Sequence, residues 1–414
     1  AGLVAAALRS ADPGAAPATG KGRVDVGAEG RPRAATDRAG VTVTVADPAP
    51  APVPATASGP PAAGLVATSQ WRSATPTLRG LATSACLPAV TEAWLLAGGG
   101  DPGRQERLVL VNPGGNEVTA DVRLLGRAGP VARTATGTVV PPRGRAVLLL
   151  DALAPTEASP VVHVTVDGGT VAPTLTDTWL DGSVPAGADS TGPAAAPART
   201  QVVPGLVLAG RATVRVGVPG SREAVVSARL LGADGAVPLP GTGVARVRGA
   251  SVGELTVSGV PDGRYAVEVR ADVPVVAAVQ GVVRAGRGPG DLAWAAAAPA
   301  LGGLAGAAFP PSPAGPPTVR TLTLVASGDP VTAEVVTAAG GRTSSRRVAV
   351  PADSAVAVGL GAPSAVWVRP AAGGGELRAA VDTAAGSAAD RLVSVVALAP
   401  TTLTERRTGA VAVP

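Results

Sequence analysis

Asp177 and Asp181, with Trp179 between them, are the residues whose types and spacing come nearest to chemistry. A pair of carboxylates beside an aromatic ring is the equipment of a glycoside hydrolase: one acid protonates the leaving oxygen, the other attacks or activates water, and the ring receives a sugar face. The plainer reading of the same residues is the end of a strand whose acids solvate a turn. His163 is the only histidine and Cys86 the only cysteine. Neither a transition-metal site of nitrogen and sulfur ligands nor an intramolecular disulfide can be assembled from that supply. A Ser-His-Asp triad would depend on His163, which alternates against Val162, Val164 and Val166 and so points away from the face those valines bury. Cys86, among small apolar neighbours, reads as a buried core residue.

Two formal motifs dissolve in context. Gly249-Ala250-Ser251-Val252-Gly253 matches a nucleophile elbow, but Glu254–Val257 continues as strand where the elbow requires a helix. Gly98, Gly100 and Gly103 match a dinucleotide fingerprint, yet Leu108–Val111 behind them is also strand-like, so a phosphate would find no helix N-terminus. No calcium-loop pattern occurs. No catalytic residue, metal site or cofactor is expected.

The elements that must position these residues are strands. Leu108–Val111 leads through Asn112-Pro113-Gly114-Gly115 into a run that alternates Ala120, Val122 and Leu124 against Asp121 and Arg123, which reads as a β-hairpin. The unit recurs. Arg123-Leu124-Leu125-Gly126 returns as Arg229-Leu230-Leu231-Gly232, and Val118–Val122 (VTADV) returns as Val331–Val335 (VTAEV). An interval of roughly a hundred residues is the size of one β-sandwich. The expected fold is therefore all-β: three tandem β-sandwich, immunoglobulin-like repeats at 85–199, 200–303 and 304–414, after a low-complexity segment at 1–84. Pro/Ala-rich linkers are expected at Asp47–Ala63, Ser183–Arg199 and Leu304–Pro317, and a turn or two of helix at most around Leu292–Ala298. The His163 slot is filled by Glu268 in the second repeat and Trp367 in the third, which suggests a solvated strand face. Trp367, between inward-facing Val366 and Val368, is then the strongest single candidate for a contact residue, ahead of Trp179, Asp177 and Asp181. Trp94, Trp179 and Trp294 fall where repeats join and are expected to pack there.

With 46% hydrophobic but only 2% aromatic residues, the cores must be built from Val, Leu and Ala. A net charge of +5 over 414 residues, scattered and without interleaved aromatics, argues against nucleic acid as a partner. Gly2–Leu8 (GLVAAAL) reads equally well as the tail of a signal or anchor segment or as a disordered Ala-rich end, and no other stretch approaches the ~20 apolar residues of a spanning helix.

Cys86-Leu87-Pro88, Trp94 with the glycines at 98–100, Leu108–Pro113 (LVLVNP) and Pro274–Ala278 (PVVAA) together resemble an uncharacterised family of actinobacterial envelope proteins. That resemblance covers roughly Cys86 to Pro400. It implies a β-rich extracytoplasmic region behind an N-terminal membrane segment, and it supplies no catalytic residues. The reading that follows is a non-enzymatic scaffold or interaction protein of the cell envelope, membrane-anchored or secreted, whose partner is an envelope protein or polysaccharide. The alternative is a glycan-binding module or weak glycoside hydrolase acting on envelope polysaccharide.

Overall fold

A computed structural model describes residues 2–8, 21–28, 31–46, 53–155, 157–239, 243–284, 286–311, 318–387, 390–401 and 406–409. The chain is all-β, 66% strand and 2% helix. Each repeat is two antiparallel sheets facing one another across an aliphatic core. In the first, Gly129–Pro130, Val118–Gly126, Val161–Asp167 and Glu92–Leu96 lie side by side in one sheet. Arg145–Leu149, Arg104–Val111, Ala172–Asp181 and Val184–Thr191 form the other. The second and third repeats reproduce both strand orders, the second through the long strand Gly263–Arg284, which serves both sheets. Nearly all core side chains are Val, Leu and Ala, as the scarcity of aromatic residues requires.

The echoed motifs fall on equivalent strands. Arg123 pairs with His163, Arg229 with Glu268, and Val336 with Trp367, so the three slots correspond in register. The expected hairpin is different. Arg104–Val111 and Val118–Gly126 do not pair; the Asn112–Gly115 turn carries the chain from one sheet to the other. Both strands send leucine and valine into one core, so alternation alone cannot separate an arch from a hairpin. Buried Asn112 holds the arch: its Nδ2 donates to the carbonyls of Asn116 (2.7 Å) and Val140 (3.1 Å), and its Oδ1 accepts from Gly114 N (2.8 Å).

Within 1–84, expected as a low-complexity segment, the described residues together with Ala85 form a fourth module of the same design. Val43–Ala46, Gly2–Ala6, Val66–Ala74 and Arg79–Ala85 make one sheet. Arg31–Thr36, Arg23–Ala28, Val53–Ser58 and Arg406–Gly409 make the other. Gly2–Ala6 is a central strand buried on both faces, Leu3 and Ala5 in the module's own core, Val4 and Ala6 against the third repeat. An apolar run there is what a doubly covered strand requires. Each stretch expected as a linker contains a strand: Val53–Ser58, Val184–Thr191 and Ala305–Ala308. Gly290–Ala296 is strand too, in place of the suggested helical turn. No described helix is long and apolar enough to cross a membrane.

The four modules close into a ring. In the first two repeats the first strand of the module occupies an edge position, and in the third only the two-residue strand Ala399–Pro400 lies outside it; in the N-terminal module the edge position is taken by Arg406–Gly409, paired antiparallel to Val53–Ser58. Successive modules touch through apolar seams, and the third repeat meets the N-terminal module through Val4, Ala6, Leu8 and Val66 against Ala308, Val336 and Ala365.

Cys86 is 1% exposed in the N-terminal core. Thiol labelling of the native protein should therefore be slow, and Cys86→Ala should cost on the order of 1 kcal/mol, the loss of a small buried group. Rapid stoichiometric labelling without denaturant would contradict this placement.

Candidate functional site

At the centre of the ring four equivalent strands converge, one from each module: Arg79–Ala85, Val184–Thr191, Gly290–Ala296 and Leu392–Ala397. Side chains are small where they cross. A Cβ at Gly80 would lie 2.4 Å from Ala188 O, and one at Gly187, whose φ is +142°, would lie 2.5 Å from Leu292 N. One carboxylate joins all four strands. Asp291 Oδ1 accepts from Leu292 N (2.9 Å) and Ala188 N (3.3 Å); its Oδ2 accepts from Val393 N (2.8 Å) and Leu81 N (3.3 Å). These N–H groups belong to edge strands and face inward, so without Asp291 they would be buried and unpaired.

Beside this hub lies a buried polar network. Glu106, Asp177 and Asp189 sit opposite one another on three neighbouring strands. Asp177 is completely buried. Its carboxylate is gripped by Arg104 Nε (2.8 Å) and Nη2 (2.5 Å) and accepts from Trp294 Nε1 (2.7 Å) and Gly98 N (3.3 Å). Burial raises its pKa, but Arg104 and Trp294 outweigh burial and hold it below its ordinary value. Asp189 accepts from Trp294 N (2.6 Å) and Ser190 N (2.8 Å), and burial pushes it well up. Burial pushes Glu106 up to about 9, aided by its hydrogen bond to Asp151, and Asp291 up to about 8 against the pull of its four N–H donors. Arg215, on the second repeat, reaches across the seam. It donates to the carbonyls of Ala97 (2.9 Å), Gly98 (2.9 Å) and Pro160 (3.2 Å), pairs with Glu254 (2.9 Å), and lies 4.8 Å over the Trp294 ring. The glycines that imitated a dinucleotide fingerprint are the loop this arginine holds.

The candidate contact residues separate. Asp181 is exposed and pairs with Arg284 Nη1 (2.8 Å), whereas Asp177 belongs to the interior. Four steps of strand rise put them about 13 Å apart along the chain, beyond the ~5–9.5 Å that a glycosidase pair spans. Asp177 is thus not the turn-solvating acid its sequence neighbours suggest. Trp179 lines a cleft, with the guanidinium carbons of Arg104 and Arg284 5.5 and 5.9 Å from its ring centre. Trp367 is not a surface residue. It does point away from its own core, but the N-terminal module covers it completely, and its Nε1 donates to Gly64 O (2.9 Å). The other two slots are also covered in part: Glu268 is 1% exposed between Arg229 and Arg270, and His163 stacks on Trp94 at 3.9 Å with Nε2 2.8 Å from Glu92. Trp294 packs at a seam, as expected of it.

Asp189, Asp291, Arg104 and Arg215 were not singled out by sequence. Nothing in their alternation distinguishes an outer face that meets solvent from one that meets another module. Among the described residues no group of three or more His, Cys, Asp or Glu side chains is arranged to hold a metal ion.

A family of unknown function, DUF5719, matches residues 37–361, from within the N-terminal module into the third repeat. The chain belongs to that family. No curated protein matches the sequence. Among solved structures, Thermotoga maritima 1070 is similar over 24% of this chain and 93% of its own, at 17% identity and a TM-score of 0.20. The viral chemokine binding protein R17 encoded by rodent gammaherpesvirus Peru is similar over 78% of this chain and 89% of its own, at 10% identity and a TM-score of 0.17. The Streptomyces avermitilis α-L-rhamnosidase is similar over 90% and 54%, at 11% and 0.14. Likenesses at these scores carry no argument about this DUF5719 protein.

The raised acids make stability depend on pH in a definite direction. Glu106, Asp189 and Asp291 have folded pKa values above the unfolded values near 4. Their contribution is complete below about pH 4 and is lost as pH rises through the folded values, about 8 for Asp291 and about 9 for Glu106. Asp177, lowered, acts oppositely and is lost only in acid below its ordinary value. The thermal midpoint should therefore fall steadily from pH 5 to pH 9. A midpoint that is flat or rising over that range would show that these acids are ionised in the folded protein.

Proposed function

We propose that this protein is a non-enzymatic scaffold of the bacterial cell envelope, extracytoplasmic and anchored or secreted through its N-terminal side, presenting one rigid ring of modules to a partner. The observation that carries the reading is where the reactive groups lie. Asp177, Asp189, Glu106 and Asp291 are all buried among modules and engaged by backbone N–H groups or arginine. Groups so held fix geometry between domains and are not offered to a substrate. The rim of the ring carries open sheet edges, among them Arg145–Leu149, where Val147 and Leu149 remain 48% and 50% exposed. Such an edge suits a partner that adds a strand or packs on the sheet. Flexible links are not needed for several contacts to act together; a rigid ring holds them at fixed spacing, which also raises effective concentration.

The second reading, glycan binding, is favoured by one observation: Trp179 lines an open cleft and is the one tryptophan of the five that is not buried. Incubation of the purified chain with envelope polysaccharide separates enzyme from scaffold. No released oligosaccharide is expected, and sustained release that survives further purification would overturn the scaffold. Fractionation of the native cell tests location: recovery in the cytosol alone would remove the envelope from the proposal.

A further inference from the structure

At one mouth of the central hub, where the convergent strands begin, lies a cleft of about 320 Å³ between the N-terminal module and the first repeat. Arg79, Gln105, Arg107, Trp179, Thr77 and Thr178 are its polar side chains, and the Thr178 hydroxyl donates to Gln105 O (3.4 Å). Its chemistry is one-sided. Arg79 is 11% exposed, and its Nε and Nη2 are buried without a hydrogen-bond acceptor. The nearest carboxylate oxygen, Asp390 Oδ1, is 3.7 Å from Nη2, beyond hydrogen-bond reach. Trp179 Nε1 is likewise buried with no acceptor. Gln105 Oε1, which could have served, faces Arg107 Nη2 at 3.4 Å. Arg107 forms no ion pair with a carboxylate among the described residues. Arg104 and Arg284 add positive charge around the indole, although their own partners, Asp177 and Asp181, already answer them.

Three donors without a hydrogen bond, an Arg79 guanidinium answered only by Asp390 at 3.7 Å and an Arg107 guanidinium with no carboxylate beside it among the described residues are costly to leave around one cleft, since a buried donor without an acceptor costs roughly 1–3 kcal/mol. Arg79 and Trp179 both line the cleft, so an acceptor for these nitrogens has to come from within it. The planar fork of arginine matches a carboxylate or phosphate with two parallel hydrogen bonds. We propose that this cleft is an oxyanion-binding site, in which a carboxylate or phosphate group is received by the Arg79 fork and the Trp179 indole N–H, with Arg107 supplying the second positive charge. The site goes beyond the scaffold reading and would stand if the partner at the rim proved to be something else. Its ligand is either a free small oxyanion or the charged group of an acidic polysaccharide.

The test uses the full chain labelled with ¹⁵N, whose five tryptophans give separate indole signals, Trp179 being assigned by its loss in Trp179→Phe. Inorganic phosphate, an oligogalacturonate and a neutral maltooligosaccharide of equal length are titrated in turn. Phosphate and oligogalacturonate are expected to move the Trp179 signal saturably, and maltooligosaccharide to leave it in place. Arg79→Gln and Arg107→Gln should each weaken the response roughly tenfold or more, the loss of one charge-assisted contact. If Arg79→Gln does not fold, Arg107→Gln decides. Oligogalacturonate binding far tighter than phosphate identifies a polysaccharide source; equal affinities identify a free oxyanion. An immobile Trp179 signal with both anions, an equal response to the neutral sugar, or undiminished binding in the folded arginine variants would overturn the site.

Discussion

Asp291→Ala should destabilise the protein by on the order of 4 kcal/mol or more, enough to abolish folding in a marginally stable chain. The side chain is small and makes no large apolar contact, so the expected loss comes from the four backbone donors it leaves behind. Leu81, Ala188, Leu292 and Val393 each point an N–H at this one carboxylate from a different module. An orphaned buried donor costs roughly 1–3 kcal/mol, and the crossing strands, fitted against Gly80 and Gly187, have little room to admit water in its place. Asp291→Asn sharpens the test. The amide retains one oxygen for two of the donors and turns an NH₂ group towards the other two, so it should recover only part of the loss. Urea denaturation of the wild type and both variants at pH 9, where Asp291 is ionised and accepts at both oxygens, reads this directly. An Asn variant as stable as the wild type, or an Ala variant within 1 kcal/mol of it, would mean that the hub strands are held by their apolar seams alone.

Trp367→Ala should cost about 3–5 kcal/mol, the range for deleting a fully buried large aromatic. The loss should appear at a junction between modules, because the indole lies between the third repeat and Val4, Ala6, Leu8 and Val66 of the N-terminal module. Trp367→Phe keeps most of the packing but leaves Gly64 O without its indole donor, and should cost roughly 1–2 kcal/mol. Hydrogen exchange distinguishes this role from one inside the third repeat. Protection should fall first in Gly2–Ala6 and Val66–Ala74, with the third repeat's core amides following only at global unfolding. Faster exchange confined to Ala365–Gly373 would place the indole's role within its own module.

Much of this was legible in the chain. The RLLG and VTADV/VTAEV echoes located equivalent strands correctly, because register in a half-buried strand is set by which residues must face the core. The correspondence of His163, Glu268 and Trp367 followed from the same rule. What the alternation could not supply was the fate of the other face. A residue turned away from its own sheet's core meets water in an isolated sandwich and meets a neighbour in a ring, and Trp367 and Asp177 have the same local pattern in either case. The N-terminal module was hidden for a related reason. With both faces of Gly2–Ala6 covered, the strand loses the period-two signal altogether, and Ala/Pro-rich neighbours such as Val53–Ser58 resemble linker while serving as strands. Arch and hairpin, finally, differ in where the partner strand lies and not in which residues are apolar, so Leu108–Gly126 could be assigned two strands but not their pairing.

The strand Arg406–Gly409 gives this protein an unusual order of assembly. The N-terminal module is synthesised first, yet the edge of its second sheet is supplied only after three further modules have been made. Until then Val53–Ser58 presents unpaired backbone groups, an open template for any extended chain nearby. The pairing that finishes the ring is also the most distant in sequence, and contacts of that kind are slow to form because the loop they close is long. The nascent chain therefore passes through a state in which three modules can be complete while the earliest remains unfinished. Pairing of Arg406–Gly409 comes after the three repeats have been made, and it is the step most open to capture by a chaperone or by the same strand of a second copy.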